Sequence, residues 1–400
     1  MNKKSLLAAV LFAAVMPVSF AQNANVKGAE SLSGGSKPNF AEARTLIGEA
    51  MKNPETMNDA KTWFVAGLVE ERLFTSENLK QTVNQEPDRA MMNDALLRIL
   101  PFYLKADQLD NMPDQKGKVK PKFTKKIMES LKGNHLYYIN AGGYYMEKKD
   151  YKKALEAFDQ FMQIKELPMF AAVPEISAQD SNSMMVGFFS AVCAYQANDL
   201  DRTLEICNKI KDVPYRQNDV YQLIATVYQD KKDTEGYIRM LEEGVQKFPK
   251  EAYYLLNLIN KYIETGRTEE AISSLERAIA DDPQNVQLYD VMAKLYENTQ
   301  DYDKAEEWLK KGLALDPDNA SVCYDLGRVY YNRAADLKGA DQVNAETEAK
   351  AKEYLQKALP LLEKAYSINP DESWYVLRNV YYNLKMNDKY KELTERHEGK

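Results

Sequence analysis

Apolar and small residues recur along the chain at helical spacing, not in the alternation typical of strands. The clearest stretch has an apolar or small residue at positions 289, 292, 293 and 296, which lie on one face of a helix. A second set at positions 305, 309 and 312 predicts another helix, and Pro317 marks its end. The pattern therefore predicts two helices joined by a short turn.

This two-helix pattern returns with a fixed period along the chain. Tyr228, Tyr262 and Tyr296 are 34 residues apart, and Tyr330 continues the series. Proline repeats with the same step at positions 249, 283 and 317. A single helix pair cannot bury its apolar face alone, so a stack of such pairs sharing one continuous core is predicted.

A resemblance to a known family rests on the stretch from Asn285 to Asn319, NVQLYDVMAKLYENTQDYDKAEEWLKKGLALDPDN. It resembles the tetratricopeptide repeat, a 34-residue helix–turn–helix unit, at eight family positions. The resemblance implies an all-α fold, a right-handed superhelical solenoid of antiparallel helix pairs. The matching positions are Tyr289, Met292, Ala293, Tyr296, Ala305, Leu309, Gly312 and Pro317.

The period divides most of the chain into units. Pro317 and Pro370 are 53 residues apart, so this unit carries 19 residues more than the period, and residues 332–350 are expected to lengthen both of its helices. The polar end of the chain suits a terminal cap. The predicted parts are divergent repeat-like helices over 39–134, units at 135–168, 184–217, 218–251, 252–285, 286–319 and 320–370, an insertion at 166–182, and a cap at 371–400.

The first residues have the features of an export signal. Lys3 and Lys4 precede an apolar run from Leu6 to Met16, and small residues at Ser19 and Ala21 predict cleavage after Ala21. No later segment has the apolar length of a membrane-spanning helix. We expect a signal peptide over residues 1–21, a flexible Gly/Ser-rich leader over 22–38, and a periplasmic protein of a Gram-negative bacterium.

The amino-acid composition excludes several classes of function. The chain has 53 Lys and Arg against 60 Asp and Glu, a net charge of −7, which argues against nucleic acid as a partner. There are only two His and three Cys, and the usual catalytic, nucleotide-binding and metal-binding motifs are missing. We therefore expect no enzyme activity, cofactor or metal. Cys193 and Cys207 fall on the two helices of one unit. We expect this pair to be either a disulfide or two buried free thiols.

The resemblance also implies where a partner would bind. In the family, positions 2, 5, 9 and 12 of each first helix commonly line a concave face. Amide and Tyr side chains there suit an extended peptide. The apolar residues at the same positions of the 184–217 unit, Phe188 among them, need cover by a partner or by the 166–182 insertion. Transferred by position, the face consists of Gln222, Thr226, Tyr253, Asn260, Asp290, Lys294, Tyr324, Arg328, Tyr331, Tyr375, Asn379 and Tyr382.

Two functions of different class are consistent with these features. The export signal and the segments KGKVKPK, ELPMF and ALPLLEKAYSINP are similar to large tetratricopeptide proteins exported by Bacteroidota. A non-catalytic scaffold or adaptor that binds a peptide or protein partner is the leading hypothesis. The alternative is an outer-membrane glycan-capture subunit of the helical starch-binding type, although such proteins resemble lipoproteins and the anchoring Cys is missing here.

Overall fold

The computed structural model describes residues 23–339 and 344–398, and within them the chain is helical throughout with no strand. The predicted all-α stack of helix pairs is confirmed. Contacts divide the chain into a first unit, residues 1–237, and a second unit, residues 238–400. Each unit is described by itself. The predicted signal peptide lies outside the described residues.

The helices are numbered from α1, which covers residues 23–32, and their bounds follow in chain order. They are α2 Phe40–Ala50, α3 Ala60–Thr82, α4 Arg89–Asp110, α5 Thr124–Asn134, α6 Tyr137–Glu147, α7 Tyr151–Glu166, the short 3-10 helix η1 Pro168–Phe170, α8 Pro174–Ser177, α9 Ser181–Gln196, α10 Leu200–Ile210, α11 Gln217–Asp230, α12 Thr234–Lys247, α13 Ala252–Glu264, α14 Thr268–Asp281, α15 Val286–Asn298, α16 Tyr302–Leu315, α17 Ala320–Gly339, α18 Ala345–Ile368, α19 Pro370–Asn383 and α20 Asn387–Glu398.

The first unit corrects the expectation of a flexible leader over residues 22–38. Residues 23–32 form α1, and Val26 and Ala29, one helical turn apart, are buried in the core. The Arg72 guanidinium donates to the Glu30 carbonyl oxygen at 2.7 Å and to Ser33 Oγ at 2.9 Å. The leader was predicted to be flexible because its composition is polar, but its two apolar residues, Val26 and Ala29, are enough to pack a short helix against the core.

The 166–182 insertion folds into η1 and α8, which bury Phe170 and Ile176 in the core of the first unit. Phe188 is buried, and two residues of the loop after α10 contact its ring: the Arg216 guanidinium lies 4.7 Å from the ring centre, and Tyr215 meets the ring edge-on at 6.1 Å. The chain itself therefore buries Phe188 without a partner, and this loop was not among the segments expected to cover it.

The turn between the two helices of a pair has the same conformation in almost every unit. Its central residue is left-handed, with φ of 59° at Lys149, 60° at Gln300 and 73° at Gly266. The next amide N–H then donates to the carbonyl oxygen five residues earlier, as in a Schellman turn. Equivalent bonds join Asp150 to Tyr145, Asp199 to Ala194, Asp233 to Tyr228, Arg267 to Tyr262, Asp301 to Tyr296 and Met386 to Tyr381.

In four helix pairs the repeated Tyr also connects the pair to the preceding one. Its hydroxyl donates to a carboxylate on the second helix of that pair: Tyr330 to Glu306 at 2.9 Å, and Tyr381 to Glu363 at 2.8 Å. Burial, with the carboxylate as a further cause, raises the pKa of both Tyr side chains. The Tyr series therefore packs in the core, as its spacing predicts, and supplies a directed hydrogen bond. Further pairs are Tyr145 with Asp94 and Tyr262 with Glu242.

The long unit departs from this pattern because its added residues lengthen both helices. Helix α17 has 20 residues and α18 has 24, and α17 continues through Ala334, where the left-handed turn residue would stand. Residues 340–343 lie outside the described part of the chain. The two helices pack along their length through Leu326, Leu355 and Leu362, which are buried in the core of the second unit.

All three cysteines are buried free thiols. Burial raises the pKa of Cys193 and of Cys207 to about 12, so both stay protonated at neutral pH. Of the two possibilities that the sequence left open for this pair, the structure has the free thiols.

Candidate functional site

The residues expected to bind a partner fall in both units. Gln222 and Thr226 lie on α11 in the first unit, and the other ten lie on α13, α15, α17 and α19 in the second. These four are the first helices of successive pairs, and α17 packs beside both α15 and α19. The candidate site is therefore the surface formed by the first helices of the second unit.

At the centre of this surface, an ion-pair network joins α15 to α17. Lys294 Nζ lies 2.8 Å from Asp290 Oδ2 on its own helix and 3.0 Å from Asp325 Oδ2 on the next. Arg328 Nη2 lies 2.8 Å from Asp325 Oδ1 and 2.8 Å from Glu297 Oε2. Three residues from the predicted set, Asp290, Lys294 and Arg328, thus come together, and each is paired with a charge of the protein itself.

The acidic members of the network are buried and the basic members reach the surface. The side chain of Asp325 is 4% exposed, whereas Lys294 is 45% and Arg328 is 30% exposed. Burial raises the pKa of Asp325 to about 7, helped by the neighbouring Asp290 carboxylate. Burial works to lower the pKa of Lys294, but the carboxylates of Asp290 and Asp325 outweigh it and raise that pKa.

Oδ1 of Asp290 is buried without a hydrogen-bond donor, and Oδ2 of Asp325 has only its ion pair with Lys294. A buried carboxylate oxygen that lacks a donor is costly. A proton on Asp325 reduces that cost by removing one of the two negative charges that share Lys294. The raised pKa of Asp325 follows from this arrangement.

An open cleft of about 430 Å³ adjoins the network. Lys294, Glu297 and Arg328 form one side, and the amides of Asn298, Gln300 and Asn332, with Tyr302, complete the lining. Asn332 Nδ2 donates to Glu297 Oε1 at 2.9 Å, which fixes that carboxylate from a second direction. The cleft offers fixed donors and acceptors, with the positive charges outermost.

Four Tyr residues of the predicted set form a second feature, which we call the tyrosine face: Tyr324, Tyr331, Tyr375 and Tyr382. Within α17 and within α19 they are seven residues apart, two helical turns, so each pair lies along one side of its helix. Tyr375 is 55% exposed and Tyr382 is 67% exposed, whereas Tyr324 and Tyr331 are half-buried. The guanidinium of Arg328 lies 5.6 Å from the centre of the Tyr324 ring and joins the face to the ion-pair network.

The remaining predicted residues are not drawn into one constellation. Tyr253 is half-buried and Asn260 is exposed, both on α13, and Asn379 is half-buried on α19. In the first unit, Thr226 Oγ1 donates to the Gln222 carbonyl oxygen at 2.9 Å, a local bond within α11. These side chains form part of the helix surface without a shared geometry.

The transferred positions did not include Asp325 or Asn332, although both belong to the site. The signal available in the sequence was the spacing of opposite charges, Asp290 four residues before Lys294 and Asp325 three residues before Arg328. That spacing suggests two separate pairs on two helices. It does not reveal that Lys294 reaches across to Asp325, because this contact depends on how α15 and α17 lie side by side.

The two histidines take part in packing. His135 is buried, its ring stacks on Phe161 with centroids 4.1 Å apart, and burial lowers its pKa. His397 stacks on Trp374 at 5.0 Å.

The described residues contain no group of three or more His, Cys, Asp or Glu side chains arranged to hold a metal ion. None of the helices in the described ranges combines the length and apolar content needed to cross a bilayer.

Comparison with known families supports the periodicity. Residues 230–295 and residues 286–329 each match the tetratricopeptide repeat. Residues 230–329 therefore carry tetratricopeptide repeats. The matched residues include α12 to α16 and the part of α17 that contributes Asp325 and Arg328 to the network. No curated protein matches the chain.

Among solved structures, the repeats are similar to MamA, to YrrB, described as a tetratricopeptide protein with an unusual peptide-binding site, and to the repeat protein BF2334 from Bacteroides fragilis. The identities are 21%, 17% and 18%, and the TM-scores are 0.34, 0.31 and 0.34. These matches cover 45%, 50% and 62% of this chain and 90%, 95% and 98% of the other chains.

The raised pKa of Asp325 predicts a pH dependence of stability. Because the folded state holds a proton that the unfolded state releases near pH 4, this contribution to stability is complete below pH 4 and is lost as pH rises to about 7. We expect the Tm of the protein to fall, relative to that of Asp325→Asn, by at least about 2 °C between pH 5 and pH 8. Calorimetry at the two pH values measures this difference.

The exposed Asp281 provides the control, since Asp281→Asn should follow the wild-type profile. Identical pH profiles of wild type and Asp325→Asn would show that Asp325 ionises normally and would contradict the assigned network.

Proposed function

We propose that the chain is a non-catalytic scaffold that binds a peptide or protein partner on the first helices of its second unit. The observation that carries this proposal is the tyrosine face, where Tyr375 and Tyr382 expose large aromatic side chains to solvent. Tyr is enriched in protein interfaces because it contributes a large contact area at a low cost in conformational entropy.

The net charge of the ion-pair network indicates which kind of partner fits the site. Lys294 and Arg328 are the outermost charges, yet Asp290, Asp325 and Glu297 neutralise them from below. With every group ionised, two positive and three negative charges leave the network at −1. A strongly acidic partner therefore gains little here. A largely neutral polypeptide that hydrogen-bonds the amides of the cleft and packs on the tyrosine face fits better.

The network also fixes α17, the helix that carries Tyr324 and Tyr331. Because buried ion pairs join α15 to α17, the cleft and this half of the tyrosine face sit on helices whose relative position is already fixed. Binding then costs little ordering of the scaffold, which favours affinity.

We propose that the protein acts in the periplasm after removal of its signal peptide. The support is the charged start, the apolar run and the small residues before Gln22. The proposed site lies on the described repeats, so it does not require the first 21 residues.

The glycan-capture alternative receives no specific support. A sugar-binding platform needs an aromatic ring with an open face, and each Trp ring and both exposed Tyr rings contact a neighbour. The Arg378 guanidinium lies 4.8 Å from the centre of the Tyr375 ring, and the Tyr382 and Tyr390 rings are 5.6 Å apart. Trp63 packs on Phe102, Trp374 stacks on His397, and Lys311 Nζ lies 4.0 Å from the centre of the Trp308 ring.

Removal of the exposed tyrosines tests the binding site. We expect the double variant Tyr375→Ala, Tyr382→Ala to weaken partner binding at least about tenfold, because exposed aromatic residues at an interface carry much of its energy. Benzoylphenylalanine in place of Tyr382, photo-crosslinked in the periplasm of the source bacterium, identifies the partner. Titration of the purified partner against wild type and variant then measures the loss.

The matched control is Leu315→Ala with Ile368→Ala, which removes two exposed apolar side chains from the second helices α16 and α18. It should leave the affinity unchanged. Equal affinity of the tyrosine variant and the wild type would place the interface elsewhere.

Export predicts a defined mature chain. N-terminal sequencing of the protein from the periplasmic fraction should begin at Gln22. A chain that begins at Met1 and stays in the cytoplasmic fraction would contradict the proposed location.

A further inference from the structure

The first unit contains a larger cleft, of about 660 Å³, on residues that the proposed binding site does not use. It lies between the end of α3, the start of α4 and the side of α6. Phe74 and Met92, both buried, form an apolar floor, and the rim carries side-chain amides from all three helices. A cleft of this size suits a ligand as large as a short peptide segment.

Two adjacent glycines on α6, Gly142 and Gly143, differ in what surrounds them. A Cβ at Gly142 would lie 2.2 Å from Cε1 of Phe158, so the packing of α6 on α7 requires glycine. A Cβ at Gly143 would meet nothing within 4 Å, and Gly143 lines the cleft. Glycine is disfavoured inside a helix relative to alanine, and packing does not explain it at Gly143. Its effect is to leave the helix backbone open to a close approach from the cleft.

Several polar side chains around the cleft have hydrogen-bonding groups that the protein itself does not use. The side chains of Gln81 and Asn140 make no hydrogen bond within the described part of the chain, and Asn78 uses only Nδ2, which donates to the Tyr137 hydroxyl at 3.2 Å. Side-chain amides donate and accept at once, so they match the N–H and C=O groups of an extended main chain.

Two charged side chains line the cleft, Arg89 and Glu147. The Arg89 guanidinium lies 5.2 Å from the centre of the Tyr144 ring, and no carboxylate within the described ranges pairs with it. The Tyr144 ring also has Lys148 Nζ 5.9 Å from its centre, and the Tyr137 ring meets Phe74 edge-on at 5.1 Å. These contacts occupy the rings, which disfavours a stacked sugar, while the guanidinium suits a carboxylate.

We propose that this cleft binds an extended peptide segment, with an apolar side chain on Phe74 and Met92, an acidic side chain at Arg89, and its main chain against Gly143. This second site is independent of the tyrosine face, since the two share no residue.

The test uses a phage-displayed library of random twelve-residue peptides selected on the full mature protein. Selected peptides are synthesised with a fluorophore and titrated by anisotropy against wild type and variants. We expect peptides enriched in Asp or Glu whose affinity falls at least tenfold on Gly143→Leu and on Arg89→Gln. Gly133→Leu should leave the affinity within twofold, because Gly133 is also helical and open at its Cβ position but does not line the cleft.

Thermal unfolding separates loss of binding from loss of fold. Gly143→Leu should keep or raise the Tm, whereas Gly142→Ala should lower it. A drop in Tm on Gly143→Leu as large as that of Gly142→Ala would overturn the proposal, because Gly143 would then serve packing.

Three binding results would also overturn it: no enriched peptide, equal affinity for wild type and Gly143→Leu, or peptides lost only on Tyr375→Ala, Tyr382→Ala. In the last case the proposed function would stand and the first-unit cleft would not. Binding of maltoheptaose in place of any peptide, abolished by Gly143→Leu, would reassign the cleft to a glycan.

Discussion

In three pairs of the second unit, a hydrogen bond from the repeated Tyr to a carboxylate of the preceding helix pair fixes how the two pairs stack. Apolar packing alone would let one pair slide along the next, because side-chain contact is not directional. The hydroxyl of Tyr330 has one acceptor, Glu306, and a bond of 2.9 Å sets where α17 lies on α16. In most units the carbonyl oxygen of the repeated Tyr also accepts the hydrogen bond that closes the turn of its own pair. At Tyr381, one residue therefore both closes the turn within its pair and bonds to the preceding pair.

The binding surface in the second unit follows from this register. Lys294 on α15 can reach Asp325 on α17 only if successive first helices lie side by side at a fixed offset. A buried charge network at such a position adds specificity more than stability, since desolvation of Asp325 offsets much of the attraction. The raised pKa of Asp325 reflects this balance.

Much of the fold could be predicted from the sequence because each helix pair is a local pattern. Spacing of apolar residues gives the helices, and the 34-residue period gives their stacking. What could not be predicted depends on contacts between distant segments. Val26 and Ala29 form a docked helix only because the first unit offers them a core. The cover of Phe188 by Arg216 depends on the path of a loop. Within the site, family positions led to Lys294 and Arg328 but not to Asp325, which faces across a helix interface.

The most direct test of this account is a double-mutant cycle on Tyr330 and Glu306, with Tyr330→Phe, Glu306→Gln and both together, measured by urea unfolding. Glu306 also pairs with Lys310 and Arg333, and the cycle separates those contributions from the bond to Tyr330. The account predicts a coupling free energy of about 1.5–3 kcal/mol, as for a hydrogen bond to a charged group. Additive single changes, with coupling below about 0.5 kcal/mol, would show that packing alone sets the register of the stack.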